Sequence, residues 1–278
     1  WQSILQEAQL DTLEKLLSHT GGEYTSFHME QYYMQPEWQS ILQEAQLDTL
    51  EKLLSHTGGE YTSFHMEQYY MQPEWQSILQ EAQLDTLEKL LSYTGGECTS
   101  FHKRGTVHKI TLPNQQILYL KRDNFTYTKD ILCDLMSFKK PRTKTEKEYI
   151  NCSLLNKTGF IAPEIIACGQ RRCLGWPKQG AILMLPIIGI DLETYIRQHK
   201  HEESTQKYIQ QAIHLLQKLQ NKGYYWPDNK PEHFFITEDN KMAVIDLERL
   251  RVQRKLSKRQ IKKQNTRFQN DIQKIMNT

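Results

Sequence analysis

The period of the hydrophobic positions changes several times along the chain, and each change marks an element. Trp75, Ile78, Leu79 and Ala82 recur at helical spacing, and Leu84, Leu87, Leu90 and Leu91 recur on a rotated face. The phase jump near Asp85 predicts two short helical pieces, with Asp85 and Glu88 as a capping box and Thr94-Gly95-Gly96 as the stop. A single helix with a wide apolar face is the other reading. Next, "TVHKITL" (106–112) and "ILYLKR" (117–122) alternate with period two around "PNQQ", which predicts a hairpin. Residues 143–157 read as a helix with Tyr149, Cys152 and Leu155 on one face, stopped by Gly159. "APEIIACGQ" and "GAILMLPII" predict two strands, the second apolar enough to be central. A long helix over 204–221 buries Ile209, Ala212, Ile213, Leu216 and Leu219. The loop "WPDNKPEHFFI" (226–236), the turn "TEDNK" and the strand "MAVIDLERL" follow it.

A repeat precedes this pattern. Residues 1–37 recur unchanged as 38–74, and a third copy runs from Trp75 to His102 with only Tyr93 and Cys98 altered. Identical units indicate a recent duplication or an assembly artefact, because a solenoid drifts between repeats and caps its ends. The opening W-x-x-I-L echoes a tetratricopeptide, but the period is 37 and the second helical piece is too short. The expected division is residues 1–74 as two identical and dispensable helix-turn repeats, 75–102 as an N-terminal helical unit, 103–188 as a small lobe and 189–278 as a second lobe. Met66 is the expected natural start.

Composition bounds the function class. With 278 residues, 38% hydrophobic and 24% charged, the chain reads as globular. No apolar run reaches the roughly 18 residues of a membrane span, and the expected location is the cytoplasm. Five cysteines without a CxxC pair argue against a disulfide framework or a zinc site and predict free buried thiols. A net charge of +2 gives no global attraction to nucleic acid, although Arg251–Lys263 is locally basic and reads first as a solvated helix face, with a surface for anionic lipid or a phosphorylated sugar as the alternative.

The element order suits a two-lobed phosphotransferase, which needs a cation on the nucleotide phosphates, a carboxylate orienting it, a carboxylate for the acceptor hydroxyl and another for magnesium. Lys121 on a strand, Glu148 on the next helix, Asp228 in the loop and Asp246 after an apolar strand supply these in order.

These residues and their neighbours resemble the lipopolysaccharide kinase (Kdo/WaaP) family, a branch of the protein-kinase-like fold, over residues 103–278. "LYLKRDN" resembles the family's strand with its ATP lysine, and Glu148 with Tyr149, Leu155 and Gly159 resembles its Glu-Trp helix. "GYYWPDNKPEHFFI" resembles its catalytic loop, with Asp228 and His233 five residues apart. "VIDLERL" resembles its magnesium segment, with Asp246 as ligand and Arg249 as companion. The resemblance implies an α+β, two-lobed protein-kinase-like fold preceded by duplicated amphipathic helices. It implies ATP and Mg²⁺ as cofactors, with Lys121 and Glu148 binding the nucleotide, Asp246 and His233 holding the metal, Asp228 catalytic and the backbone of "LMLPIIG" (183–189) meeting adenine. It further implies a sugar or glycolipid acceptor of the lipopolysaccharide core, with peripheral contact at the cytoplasmic face of the inner membrane and no nucleic acid.

The sequence departs from the family at three places. Trp226 and Pro227 replace the His and Arg before the loop Asp, "KRGTVHK" carries one glycine where a glycine-rich loop is expected, and the chain stops at Thr278 where family members continue. Two alternatives follow: a pseudokinase or ATP-binding module without turnover, and a helical-repeat interaction protein working through residues 1–102.

Overall fold

The computed structural model describes residues 65–136, 139–173 and 176–277. Most of the two identical repeat copies lies outside them.

A six-stranded antiparallel sheet forms one lobe, in the order β1-β5-β6-β4-β3-β2. Its strands are β1 (His65–Met71), β2 (Glu97–His102), β3 (Gly105–Thr111), β4 (Ile117–Asp123), β5 (Ile165–Cys173) and β6 (Trp176–Met184). β3 and β4 are the hairpin that the alternation predicts, with His108, Ile110, Leu118 and Leu120 buried. Because side chains alternate across a strand, β6 feeds both faces of the sheet: Ala181 and Leu183 join one core cluster, Ile182 and Met184 the other.

The first face is covered by the third repeat copy. The two short pieces form, as α1 (Gln76–Glu81) and α2 (Leu87–Ser92), and bury Trp75, Leu79, Leu84, Leu87 and Leu90. The single-helix reading is excluded by Gln83, whose φ of 56° breaks the helix. The cap differs from the expected Asp85–Glu88 box. Thr86 accepts from the Lys89 N–H, and Asp85 instead pairs with the Lys89 side chain at 2.7 Å. The segment "HMEQYYM" is strand β1, paired along its length with β5, and "ECTSFH" is edge strand β2. Both escape pattern reading because they bury little on either face, so no apolar alternation marks them.

The opposite face receives α4 (Lys144–Lys157), preceded by α3 (Thr128–Met136). α4 is capped by Thr143 and buries Thr145, Glu148, Cys152 and Leu155 at helical spacing. The chain then passes through 185–188 into the second lobe. There β7 (Gly189–Asp191), β9 (Phe234–Thr237) and β10 (Met242–Val244) form a small sheet, and β8 (Tyr224–Tyr225) pairs with β11 (Arg251–Val252). Helices α5 (Leu192–Gln198), α6 (Glu203–Asn221) and α7 (Lys258–Asn277) complete this lobe. The stripe on α6 is as expected except that Ile213 is only partly buried. Cys152 and Cys168 are buried free thiols. Cys98 and Cys133 are exposed and Cys173 is only partly buried, which corrects the expectation of burial for those three.

Candidate active site

Lys121 points from β4 toward the gap between the lobes, where three carboxylates from two segments, α4 and the stretch after β10, converge on it. Its Nζ lies 2.6 Å from Glu148 Oε2 on α4, 2.6 Å from Asp246 Oδ1 after β10, and 3.5 Å from Glu248 Oε2. Glu248 in turn binds Lys144 at the start of α4. Period two on β4 sets this geometry. Leu118 and Leu120 enter the core between the sheet and α1–α2, so Lys121 must face α4.

Asp246 is placed by its backbone. Ile245 donates its N–H to the His233 carbonyl at 3.0 Å, and Asp246 then takes φ 56°, left-handed for a residue that is not glycine. Such a conformation persists only where its surroundings enforce it. The turn aims the carboxylate back at Lys121.

The loop carrying Asp228 is braced from several sides. His233 Nδ1 donates to the Asp228 carbonyl at 2.8 Å, leaving Nε2 3.6 Å from Asp246 Oδ2. Trp226 is fully buried, stacked on His233 and packed on Phe234. Asn229, also fully buried, donates to the Gln264 carbonyl at 3.0 Å, and the Gln264 side chain accepts from the Trp226 N–H at 2.8 Å. Arg267 of α7 completes the frame, donating through Nη1 to the Pro227 carbonyl at 2.7 Å and through Nη2 to Asp228 Oδ1 at 3.0 Å. The departure at Trp226 and Pro227 thus has a structural counterpart: an aromatic packs the loop from within, and an arginine 39 residues later holds the aspartate.

Electrostatics follow from this crowding. Burial pushes the Glu148 carboxyl up to about 7 despite the pull of Lys121, with Asp246 and Glu248 acting in the same direction as burial. Burial alone would lower Lys121, but Glu148, Asp246 and Glu248 outweigh it and hold the ammonium well above its usual range. Burial would raise Asp246, but the charge and hydrogen bond of Lys121, helped by His233, hold it below the usual carboxylate range.

The donor set fits a hard divalent cation. One ligand atom each from Glu148, Asp246 and Glu248 lies within 4.8 Å of the others, and the same holds for Asp228, His233 and Asp246. Asp246 belongs to both groups. The first is all oxygen, the donor type that suits Mg²⁺, whereas the second includes His233, a softer ligand whose Nδ1 braces the loop while Nε2 faces Asp246.

The five residues expected from sequence, Lys121, Glu148, Asp228, His233 and Asp246, are therefore brought together between the lobes. Arg249 is not: it is exposed, with no ion-pair partner among the described residues. Sequence reasoning missed Glu248, Lys144, Asn229, Gln264 and Arg267. Glu248 stands inside the quoted "VIDLERL", two residues after Asp246, and Asn229 follows Asp228. The others carry no local signal. Gly105 closes the β2–β3 turn opposite Asp123, and a Cβ there would meet the Arg122 carbonyl oxygen at 2.2 Å. In the segment between the lobes Leu185 donates its N–H to the Glu164 carbonyl at 2.9 Å.

Known proteins resemble the chain in sequence family and in fold. The model of the lipopolysaccharide kinase (Kdo/WaaP) family matches residues 100–275, more than half of the chain. Among solved structures, one described as "WaaP in complex with acyl carrier protein" superposes with a TM-score of 0.53 at 14% identity, covering 73% of this chain and 80% of that one. At that identity the likeness shows the fold. No curated protein matches the chain by sequence.

Proposed function

Because the chain belongs to the lipopolysaccharide kinase (Kdo/WaaP) family, we propose that it moves the γ-phosphoryl group of ATP to a hydroxyl on a sugar of the lipopolysaccharide core. The observation that carries this reading is the convergence of Lys121, Glu148 and Asp246 between the lobes, with Asp228 held beside them by His233 and Arg267.

When bound, ATP supplies the phosphoryl group and Mg²⁺ neutralises charge on the phosphates. The protein's own groups do the positioning. Lys121, oriented by Glu148, holds nucleotide phosphate oxygens, and Asp246 with a neighbouring carboxylate holds the metal. Asp228 orients the acceptor hydroxyl and receives its proton as the new O–P bond forms and the bond from the γ-phosphorus to the bridging oxygen breaks, releasing ADP. Most of the rate gain in such a site comes from fixed charges and geometry. Arg267 replaces the brace that the family's loop carries in its own sequence, so the departures at Trp226 and Pro227 do not by themselves argue for a pseudokinase. The acceptor places the reaction at the cytoplasmic face of the inner membrane. Among the described residues no helix is long and apolar enough to cross a membrane.

The test is Mg²⁺-dependent ATP stabilisation of the full chain beside Lys121→Ala and Asp246→Ala, followed by transfer of labelled phosphate to a core oligosaccharide. Stabilisation that needs Mg²⁺ and both residues is expected. A folded protein that ignores Mg·ATP would leave the kinase relationship as ancestry only.

A further inference from the structure

One face of α7 is unexplained by the site described above. The helix carries Lys258, Arg259, Lys262, Lys263, Arg267 and Lys274 against a single acid, Asp271. Four of these cations lie in its first two turns, the end where the helix dipole disfavours positive charge. They also lack the acidic i+4 partners that usually stabilise a charged surface helix. Local stability does not account for that pattern.

The structure gives these cations a common location. Arg259, Lys262, Lys263 and Arg267 line an open groove of about 930 Å³ together with Arg197 of α5 and Lys230 of the catalytic loop. Arg197, Lys230 and Arg267 are each balanced by a carboxylate, from Glu193, Glu232 and Asp228. Arg259, Lys262 and Lys263 are exposed and have no ion-pair partner among the described residues. Arg267 links the groove to the chemistry, because it lines the groove and also binds Asp228 at 3.0 Å. At about 1.5 Å of rise per residue, Lys263 stands roughly 6 Å and Arg259 roughly 12 Å along the helix from Arg267. Those spans correspond to substituents on the same or the next sugar as a hydroxyl placed at Asp228.

We infer that this groove is the acceptor side of the site, and that Arg259, Lys262 and Lys263 hold a phosphate group already present on the acceptor saccharide. The inference rests on the phosphotransferase reading and adds a requirement to it: the acceptor is anionic before the reaction, and its charge sets its register on Asp228. Ammonium and guanidinium groups on one helix face suit a phosphate, whose oxygens accept from several donors at once. Lys230 and Arg197, paired with Glu232 and Glu193, flank the three unpaired cations as charge-balanced neighbours.

The experiment uses the full chain and three probes, with no nucleotide present: a delipidated core oligosaccharide that carries phosphate, the same oligosaccharide after chemical dephosphorylation, and vesicles of anionic phospholipid. Binding is measured by calorimetry for the wild type, for Lys262→Gln/Lys263→Gln and for Lys262→Glu/Lys263→Glu. Both positions are exposed, and unchanged melting without ligand verifies the fold. The wild type should prefer the phosphorylated oligosaccharide by at least about ten-fold, with a salt-sensitive affinity. The glutamine pair should lose most of that preference and the glutamate pair all of it. Stabilisation by Mg·ATP should be the same in all three proteins. Equal binding of the two oligosaccharides, or a preference that survives in the glutamate pair, would overturn the inference. So would vesicle binding that the glutamate pair loses while oligosaccharide binding stays intact, because the groove would then face a membrane surface. A wild type that ignores Mg·ATP yet discriminates the oligosaccharides would sink the kinase reading and leave the anion site standing.

Discussion

Lys121 and Asp246 are 125 residues apart in the chain, and their side chains meet at 2.6 Å. The contact joins β4 of the first lobe to the segment after β10 of the second, so it forms only when both lobes are assembled. Lys121 is also the cation holding Glu148, Asp246 and Glu248 together. Lys121→Met would leave those carboxylates facing one another. Removing one partner of a buried ionic cluster costs about 3–5 kcal/mol. The variant is therefore expected to melt several degrees lower in chelator and to regain part of that loss in millimolar Mg²⁺, which replaces the missing charge. A melting curve indifferent to Mg²⁺ would argue against a cation site at these carboxylates.

Arg267 separates turnover from nucleotide binding. Asp228→Asn removes the proton acceptor and is expected to lower kcat by about 100- to 10,000-fold. Arg267→Met keeps the carboxylate but frees it to rotate, and small misplacements cost up to about 100-fold. Its signature is a fall in kcat with KM for ATP unchanged, partly rescued by Arg267→Lys, which cannot reach both the Pro227 carbonyl and Asp228 as the guanidinium does. Wild-type kcat in Arg267→Met would show that the aspartate needs no brace from α7.

What was legible in the sequence was what carries a local signal. Lys121 ends an alternating strand, Glu148 sits on a periodic helix, and Asp246 follows an apolar run, so each could be placed on its element before any contact was known. Arg267 could not. It lies 39 residues from its partner on a helix whose periodic positions, Gln264, Phe268, Ile272 and Ile275, describe only its buried face. Lys144 pairs with Glu248 across 104 residues and looks like an ordinary charge in the first turn of a helix. β2 is exposed along nearly its whole length and offers no periodic apolar face to read, whereas α3 carries Ile131, Leu132, Leu135 and Met136 at helical spacing yet buries none of them. Pattern reading detects burial, and these elements are held by pairing or by polar contacts instead.

The raised carboxyl of Glu148 makes a signed prediction about pH. An unfolded glutamate ionises near 4.5, and the folded one only near 7. Between those values the folded state binds more protons than the unfolded state, so this group's contribution to stability falls as pH rises through that window. Glu148→Gln does not titrate. Metal-free melting of wild type and variant from pH 5 to pH 8 should show the wild type losing ground to the glutamine protein as pH rises toward 7, then a constant gap. A gap that stays constant from pH 5 to pH 8 would mean that Lys121 overcomes burial and keeps the carboxylate ionised throughout.

The repeat at the front of the chain yields a prediction about where the folding unit begins. β1 starts at His65, inside the second repeat copy, and pairs with β5 through seven residues. Gln72 extends the contact, donating from its backbone to the Ile166 carbonyl at 2.9 Å and from its side chain to the Ile165 carbonyl at 3.0 Å. Tyr69 is packed so closely that a Cβ at Gly169 would lie 2.9 Å from its ring. A chain cut before Trp75, where the repeat pattern suggests the boundary, would bare β5, whose residues Ile165 to Gln170 are all buried, as an unpaired apolar edge. Such edges invite association. Removing residues 1–64 is therefore expected to leave melting temperature and Mg·ATP stabilisation unchanged, while removing residues 1–74 should lower the melting temperature by several degrees and promote aggregation. If the two truncated proteins behave alike, β1 adds nothing to the sheet and the folding unit begins at Trp75.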